Sequence, residues 1–194
     1  MRRKKDISIV VLLVIGLLIL LGIECVYRPA QERRQQEYET RQRDPLTHDL
    51  SSIQQYQSLY MGDAANTIHL FENLPLQDLP VSYENDPDSL TFQIDYNIDL
   101  ASLSEQTVMR SLIYNSAAAF GLIDNLNGLR YRFLDNEFSV SRADFSQYFE
   151  QSFSELVQSP SLWESAVKEP LQDDNIVIAL IETYFHKTAR QENS

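Results

Sequence analysis

The chain has 194 residues, 43% of them apolar and 10% aromatic, which is enough for a packed interior and too much for wholesale disorder. From Asp44 onward seven Lys and Arg stand against twenty-three Asp and Glu, a formal charge of −16 within a total of −12. Such a surface repels phosphate backbones, so nucleic acid is excluded as an expected partner, while cationic ligands or partners would be favoured. The lone Cys25 leaves the rest of the chain without disulfides, Cys-rich zinc sites or a cysteine nucleophile.

Residues 1–6, MRRKKD, read as a cytoplasmic tail in front of the uncharged stretch 7–23, ISIVVLLVIGLLILLGI. As a helix the stretch would span roughly 26 Å, near the short end for crossing a bilayer. No small-x-small cleavage site follows, so it reads as an uncleaved signal anchor. Glu24 before Cys25 argues against lipidation. Arg2, Arg3, Lys4 and Lys5 favour a cytoplasmic N-terminus, which places the acidic part outside the cell membrane. Arg28, Arg33, Arg34, Arg41 and Arg43 lie beyond the stretch and act against that orientation, with Glu32, Glu37 and Glu39 interleaved among them. Residues 24–45, rich in Gln, Glu and Arg, read as a polar stalk, and 46–194 as one folded domain.

Within the domain, LYMGDAANTIHLFENLPL (Leu59 to Leu76) reads as a turn with Gly62 for the bend, Asp63 as helix cap, an apolar helix through Ile68 and Phe71, and a stop at Pro75. LTFQIDYNI (Leu90 to Ile98) alternates apolar and polar residues, the pattern of a half-buried strand. Ser102 and Glu105 predict a capping box for a long helix stopped by Asn127-Gly128. Leu129, Tyr131 and Phe133 alternate with Arg130 and Arg132, and Asp135-Asn136 predicts a hairpin turn into Glu137 to Val140. Ser141 and Asp144 cap a helix with an aromatic stripe through Phe145, Tyr148, Phe149, Phe153 and Leu156. Ser159-Pro160 opens a short helix holding Trp163. A last helix begins near Asp174 and carries Ile176, Val177, Leu180, Ile181, Tyr184 and Phe185. This order predicts an α+β fold, a small mainly antiparallel sheet covered by helices on one face, with the other face wet.

Tyr60, Gly62 and Asp63, then Leu74 and Pro75, Leu90 and Tyr96, Asn115, Phe120, Leu122, Ile123 and Asn125, and finally Arg142 make several short motifs in one order. By these motifs the chain resembles the family called domain of unknown function 4825. The resemblance covers about Gln54 to Leu156. It implies a membrane-attached, extracytoplasmic protein of a Gram-positive cell envelope and, by analogy, a sensing or regulatory module. The Pro-Tyr-Gly run frequent in that family before the strand is replaced here by Pro87, Asp88 and Ser89.

No complete catalytic constellation is visible. His48, His69 and His186 stand apart, and Glu84, Asp86 and Asp88 lack the central Gly and distal Glu of an EF-hand. Ser165 and Lys168 fit Ser-x-x-Lys without the companion motifs of penicillin-binding proteins. No cofactor, metal or enzymatic activity is therefore expected. The scarce basic residues Arg130, Arg132 and Arg142 are the candidate contacts to a partner or anion, with cross-strand pairing to Asp95 and Asn97 as the structural alternative for the first two. Asp63, Asn115 and Asn125 are candidate structural polar residues. The leading expectation is a tethered, non-catalytic binding or sensing module with an envelope or membrane protein partner. The second is an accessory subunit docking through Ile176, Leu180, Ile181 and Tyr184, and a hydrolase built from dispersed acids is a distant third. Protease added to intact cells or protoplasts is expected to remove the domain; full protection would overturn the orientation.

Overall fold

The computed structural model describes residues 12–17, 19–20 and 23–190. It divides between Thr40 and Arg41 into two compact units. In the first, residues 12–17 and 19–20 are helical, Ile23–Tyr27 forms one widened turn, and helix α1 (Arg28–Gln42) follows, its last two residues belonging to the second unit. The polar stalk is thus helical. It is supported by pairs one turn apart, Glu24 with Arg28 and Gln35 with Glu39. Among the described residues no helix is long and apolar enough to cross a membrane, and residues 7–11, 18, 21 and 22 of the expected anchor, 7–23, lie outside them.

The second unit is α+β. Helix α2 (Ala64–Phe71) precedes strands β1 (Val81–Asp86) and β2 (Thr91–Tyr96); helix α3 (Glu105–Leu122) crosses to β3 (Gly128–Arg132), which turns into β4 (Asn136–Ser141). After a one-turn helix, Arg142–Phe145, come α4 (Phe153–Gln158), a second single turn at Pro160–Trp163, α5 (Asp174–Tyr184) and β5 (Phe185–Ala189). The five strands lie in sequence order. Three pairings are antiparallel, but β2 and β3 run parallel, because α3 carries the chain back to the starting end of the sheet.

The side chains of Phe92, Ile94, Tyr96, Leu129, Tyr131, Phe138, Val140 and Phe185 form the inner face of the sheet and are buried. Helix α3 is also buried, over thirteen of its eighteen residues. The helix is therefore enclosed on nearly all sides, with α4 and α5 packed against it.

Several expectations are corrected. Ser104, not Ser102, caps α3 through Thr107 N, and Ser102 closes the preceding turn. The helix ends at Leu122, five residues before Asn127-Gly128, because Ile123 is extended. The aromatic stripe is not one helix. Phe149 is extended, and Ser152 starts α4 afresh with a capping box to Glu155. Gly62 needs no glycine conformation, since its φ is not positive and a Cβ there would meet nothing. Glu84 and Asp86 lie in strand β1, and Phe185 begins a strand instead of extending the last helix. Leu180 and Ile181 of α5 face the core and are buried, so they are not the docking stripe expected of them.

The glycine that matters for packing is Gly121. A Cβ there would lie 2.3 Å from Val157 Cγ1 and 2.7 Å from the Phe153 carbonyl oxygen, so α3 and α4 approach too closely for any side chain. Gly121→Ala is expected to lower the unfolding midpoint, with a cost of about 2 kcal/mol from overpacking that exceeds the gain in helix propensity of about 1 kcal/mol. Thermal denaturation checks it, and a raised midpoint would show that α4 can retreat freely.

Candidate functional site: the outer face of the sheet

Strand periodicity sends every second side chain away from the helices. The registers place Glu84, Gln93, Arg130, Ser139 and His186 in one cross-strand row and Ser82, Asp95, Arg132, Glu137 and Thr188 in the next. All ten are polar.

Their side chains form a connected network. Arg132 Nη1 lies 3.3 Å from Asp95 Oδ1, and its Nε lies 3.3 Å from Glu137 Oε2, within ion-pair distance but off the line of a hydrogen bond. Arg130 Nε is 3.5 Å from Glu137 Oε1, and its Nη1 donates to Gln93 Oε1 at 3.2 Å. Gln93 Nε2 in turn donates to Glu84 Oε2 at 3.0 Å and to Asp95 Oδ2 at 2.8 Å. Asp95 is thus the partner expected for Arg132, while Glu137, from the hairpin strand, holds both arginines. Such half-exposed pairs add little stability each, but together they fix the side chains of the face. Both cationic heads are balanced by carboxylates, so the face carries no uncompensated positive charge to attract an anion.

At the end of the sheet where β2 and β3 begin, the face sinks into a shallow depression of about 390 Å³. Its floor is Thr91, Gly128, Arg130, Ser139 and Ser141, and its rim includes Asn127, Asp144, Tyr184 and His186. Gly128 is needed there, because a Cβ would come within 2.8 Å of Thr91 Oγ1. Asp144 is engaged by the Ser141 hydroxyl at 2.6 Å.

The remaining named residues serve the scaffold. Arg142 turns inward: its Nε donates to the Leu126 carbonyl at 2.6 Å, its Nη2 donates to the Ile123 carbonyl, and the guanidinium lies over the Phe120 ring at 5.2 Å. Burial lowers its pKa from the ordinary arginine value. Arg142 therefore satisfies carbonyls in the turn that follows α3. Asp63 caps α2 by accepting from Asn66 N, and Asn125 Oδ1 accepts from Met61 N at 2.6 Å. Asn115, wholly buried, donates to the Pro75 carbonyl at 2.8 Å, and its Oδ1 has no partner among the described residues. Ser165 Oγ donates to the Ser161 carbonyl, and Lys168 pairs with Glu164. Asp86 is taken up by its own turn, accepting from Asp88 N and from both the backbone and the hydroxyl of Ser89. Among the described residues no three His, Cys, Asp or Glu side chains gather as metal ligands.

Residues 53–145 match the family model described as Domain of unknown function (DUF4825). The match takes in α2, β1 to β4 and the turn holding Arg142, and ends before α4, α5 and β5. No curated protein and no solved structure matches the chain.

One polar pair escaped the sequence reading. His48 and Tyr114 are both buried, with His48 Nδ1 2.8 Å from the Tyr114 hydroxyl and Nε2 2.8 Å from the Asn73 carbonyl. A carbonyl only accepts, so Nε2 carries the proton and the tyrosine hydroxyl donates to Nδ1. Burial lowers the His48 pKa from 6.5, against the raising effects of the Asn73 carbonyl and Asp49. The folded chain thus binds fewer protons here than the unfolded one. The stabilisation is complete above pH 6.5 and is lost as pH falls below that value toward the depressed folded pKa. Between pH 7.5 and 5, above the carboxylate range of about 4, the unfolding midpoint of the wild type is expected to fall more steeply than that of His48→Gln. Parallel slopes in thermal scans would remove His48 as the source.

Proposed function

We propose, from the premise that residues 53–145 belong to the DUF4825 family, that the chain is a tethered, non-catalytic binding or sensing module. In this reading residues 7–23 form a single-pass anchor with a cytoplasmic N-terminus, α1 is the stalk, and the acidic domain works outside the cell membrane. The partner is an envelope or membrane protein.

The observation that carries the proposal is the ordered polar network across the outer sheet face. It fixes Arg130, Arg132, Glu137 and Asp95 in one geometry, and their side chains remain partly exposed among the described residues. A fixed array of alternating charges recognises a partner by complementarity and disfavours wrong ones, with modest affinity of its own. Arg130 and Arg132 are the contacts that this reading assigns to the partner, while Arg142 acts indirectly by holding the turn after α3. An accessory-subunit role through α5 has less support, because Leu180 and Ile181 are committed to the core.

Crosslinking in native membranes followed by mass spectrometry is the test. The wild type is expected to capture a specific membrane or envelope protein that the Arg130→Glu, Arg132→Glu double variant loses while keeping a cooperative unfolding transition. The milder Arg130→Gln, Arg132→Gln pair should lose it in part. Equal capture by wild type and both variants would remove the sheet face as the recognition surface.

A further inference from the structure

The depression at the end of the sheet has chemistry that the charged network does not use. Around it, among the described residues, the side chains of Asn127, Ser139, Tyr184 and His186 make no hydrogen bond to the protein. They supply an amide, two hydroxyls and an imidazole, which together offer donors and acceptors without a formal charge on the amide or hydroxyls. The two permanent charges at the site oppose one another. Arg130 is already held by Glu137 and Gln93, and Asp144 is already held by Ser141.

We propose that this depression binds a neutral polyhydroxylated ligand, a mono- or disaccharide. This inference rests on the binding-module reading and names the ligand class of the same face. A free anion is disfavoured by the −16 charge of the domain and by the neutralised arginine. A compact cation finds one carboxylate, already bonded to a serine hydroxyl. A sugar, by contrast, presents several hydroxyls that donate and accept at once, matching the unpaired side chains.

Dimensions agree. Arg130, Ser139 and His186 sit side by side on three adjacent strands, so the row spans roughly 10 Å. The volume of about 390 Å³ lies at the lower end of small-ligand sites. Tyr184 supplies the apolar surface that a sugar ring needs on its less polar side. Its ring is half-buried at the end of α5, braced by Phe145 at 5.9 Å and by Tyr148 at 6.2 Å. Gly128 keeps the floor low, and the floor residues sit on paired strands, so little ordering cost accompanies binding.

The test is saturation-transfer NMR on the full-length protein in a detergent without a sugar headgroup. The panel is glucose, N-acetylglucosamine and their β-1,4-linked disaccharides, with inorganic phosphate and spermidine as the charged alternatives. At least one sugar is expected to show saturable transfer, weakened by about tenfold in Tyr184→Ala. Ser139→Tyr, which fills the floor from an accessible position, is expected to abolish it with the unfolding midpoint retained. The inference is overturned if no sugar binds, if phosphate or spermidine binds instead, or if Ser139→Tyr leaves sugar binding intact. A protein partner still lost on changing Arg130 and Arg132, with no sugar bound, would overturn the ligand class alone. Sugar binding with no arginine-dependent partner would leave the depression as the site and remove the protein partner.

Discussion

The burial of α3 is the constraint from which most of the domain follows. A helix buried over thirteen of its residues takes the polar side chains among them away from water, which favours those that find a partner in whatever packs around it. Ser116 meets the Tyr131 hydroxyl on the sheet side at 3.0 Å, Asn115 holds the Pro75 carbonyl, and Tyr114 meets His48 from the segment that enters the domain. Three separate parts of the chain are thereby located against one helix. The small residues Ala117, Ala118, Ala119 and Gly121 let neighbours come close enough for these bonds to form.

The same helix sets the sheet. Since α3 crosses from the end of β2 to the start of β3, those strands must run parallel, and the hairpins on either side make β1–β2 and β3–β4 antiparallel. The turn after α3 then carries carbonyls that no helix satisfies, and Arg142 reaches back from beyond β4 to accept that task. Arg142 is a basic residue whose position reads as a surface contact in sequence and whose environment makes it a strut. Arg130 and Arg132 differ because they alternate with Leu129, Tyr131 and Phe133, which fixes them on the outward face whatever their partners.

This contrast explains what was legible in the sequence. Central strands β2 and β3 carry apolar residues on one face and polar ones on the other, so their alternation is plain even though Gln93 on the outer face is buried, and the arginines on β3 could be placed on the outer face directly. The edge strands could not be read in this way. In β1, residues of both faces retain some exposure, and in β5 only Phe185 is buried, so neither has an apolar period to detect. Asp63, Asn115 and Asn125 were recognisable as polar residues beside apolar runs, but their partners, Asn66, Pro75 and Met61, are set by local geometry or tertiary packing. The buried His48 gave no signal, because an isolated histidine in a polar segment looks like a surface residue until Tyr114 and Asn73 are brought against it. The break in the aromatic stripe at Phe149 was equally hidden, since Phe145, Phe149 and Phe153 pack together whether or not one helix joins them.

The C-terminal part adds a layer of dependence that the family match does not reach. Without residues beyond Phe145, β4 would be an edge strand with unpaired backbone groups, a geometry prone to nonspecific association. Strand β5 pairs that edge, and α4 fills the space that Gly121 leaves open. The same extension brings Tyr184 and His186 to the rim of the outer depression, opposite Arg130 and Asn127 from the family segment. The wall of the depression is therefore assembled from two parts of the chain. The inner edge of that wall is fixed by the network through Arg130 and Glu137, and the outer edge by the packing of Phe145 and Tyr148 against Tyr184. A change in the packing of α5 would move the outer edge while leaving the charged network in place, so the rim of the depression and the arginine network are separable features of one sheet face.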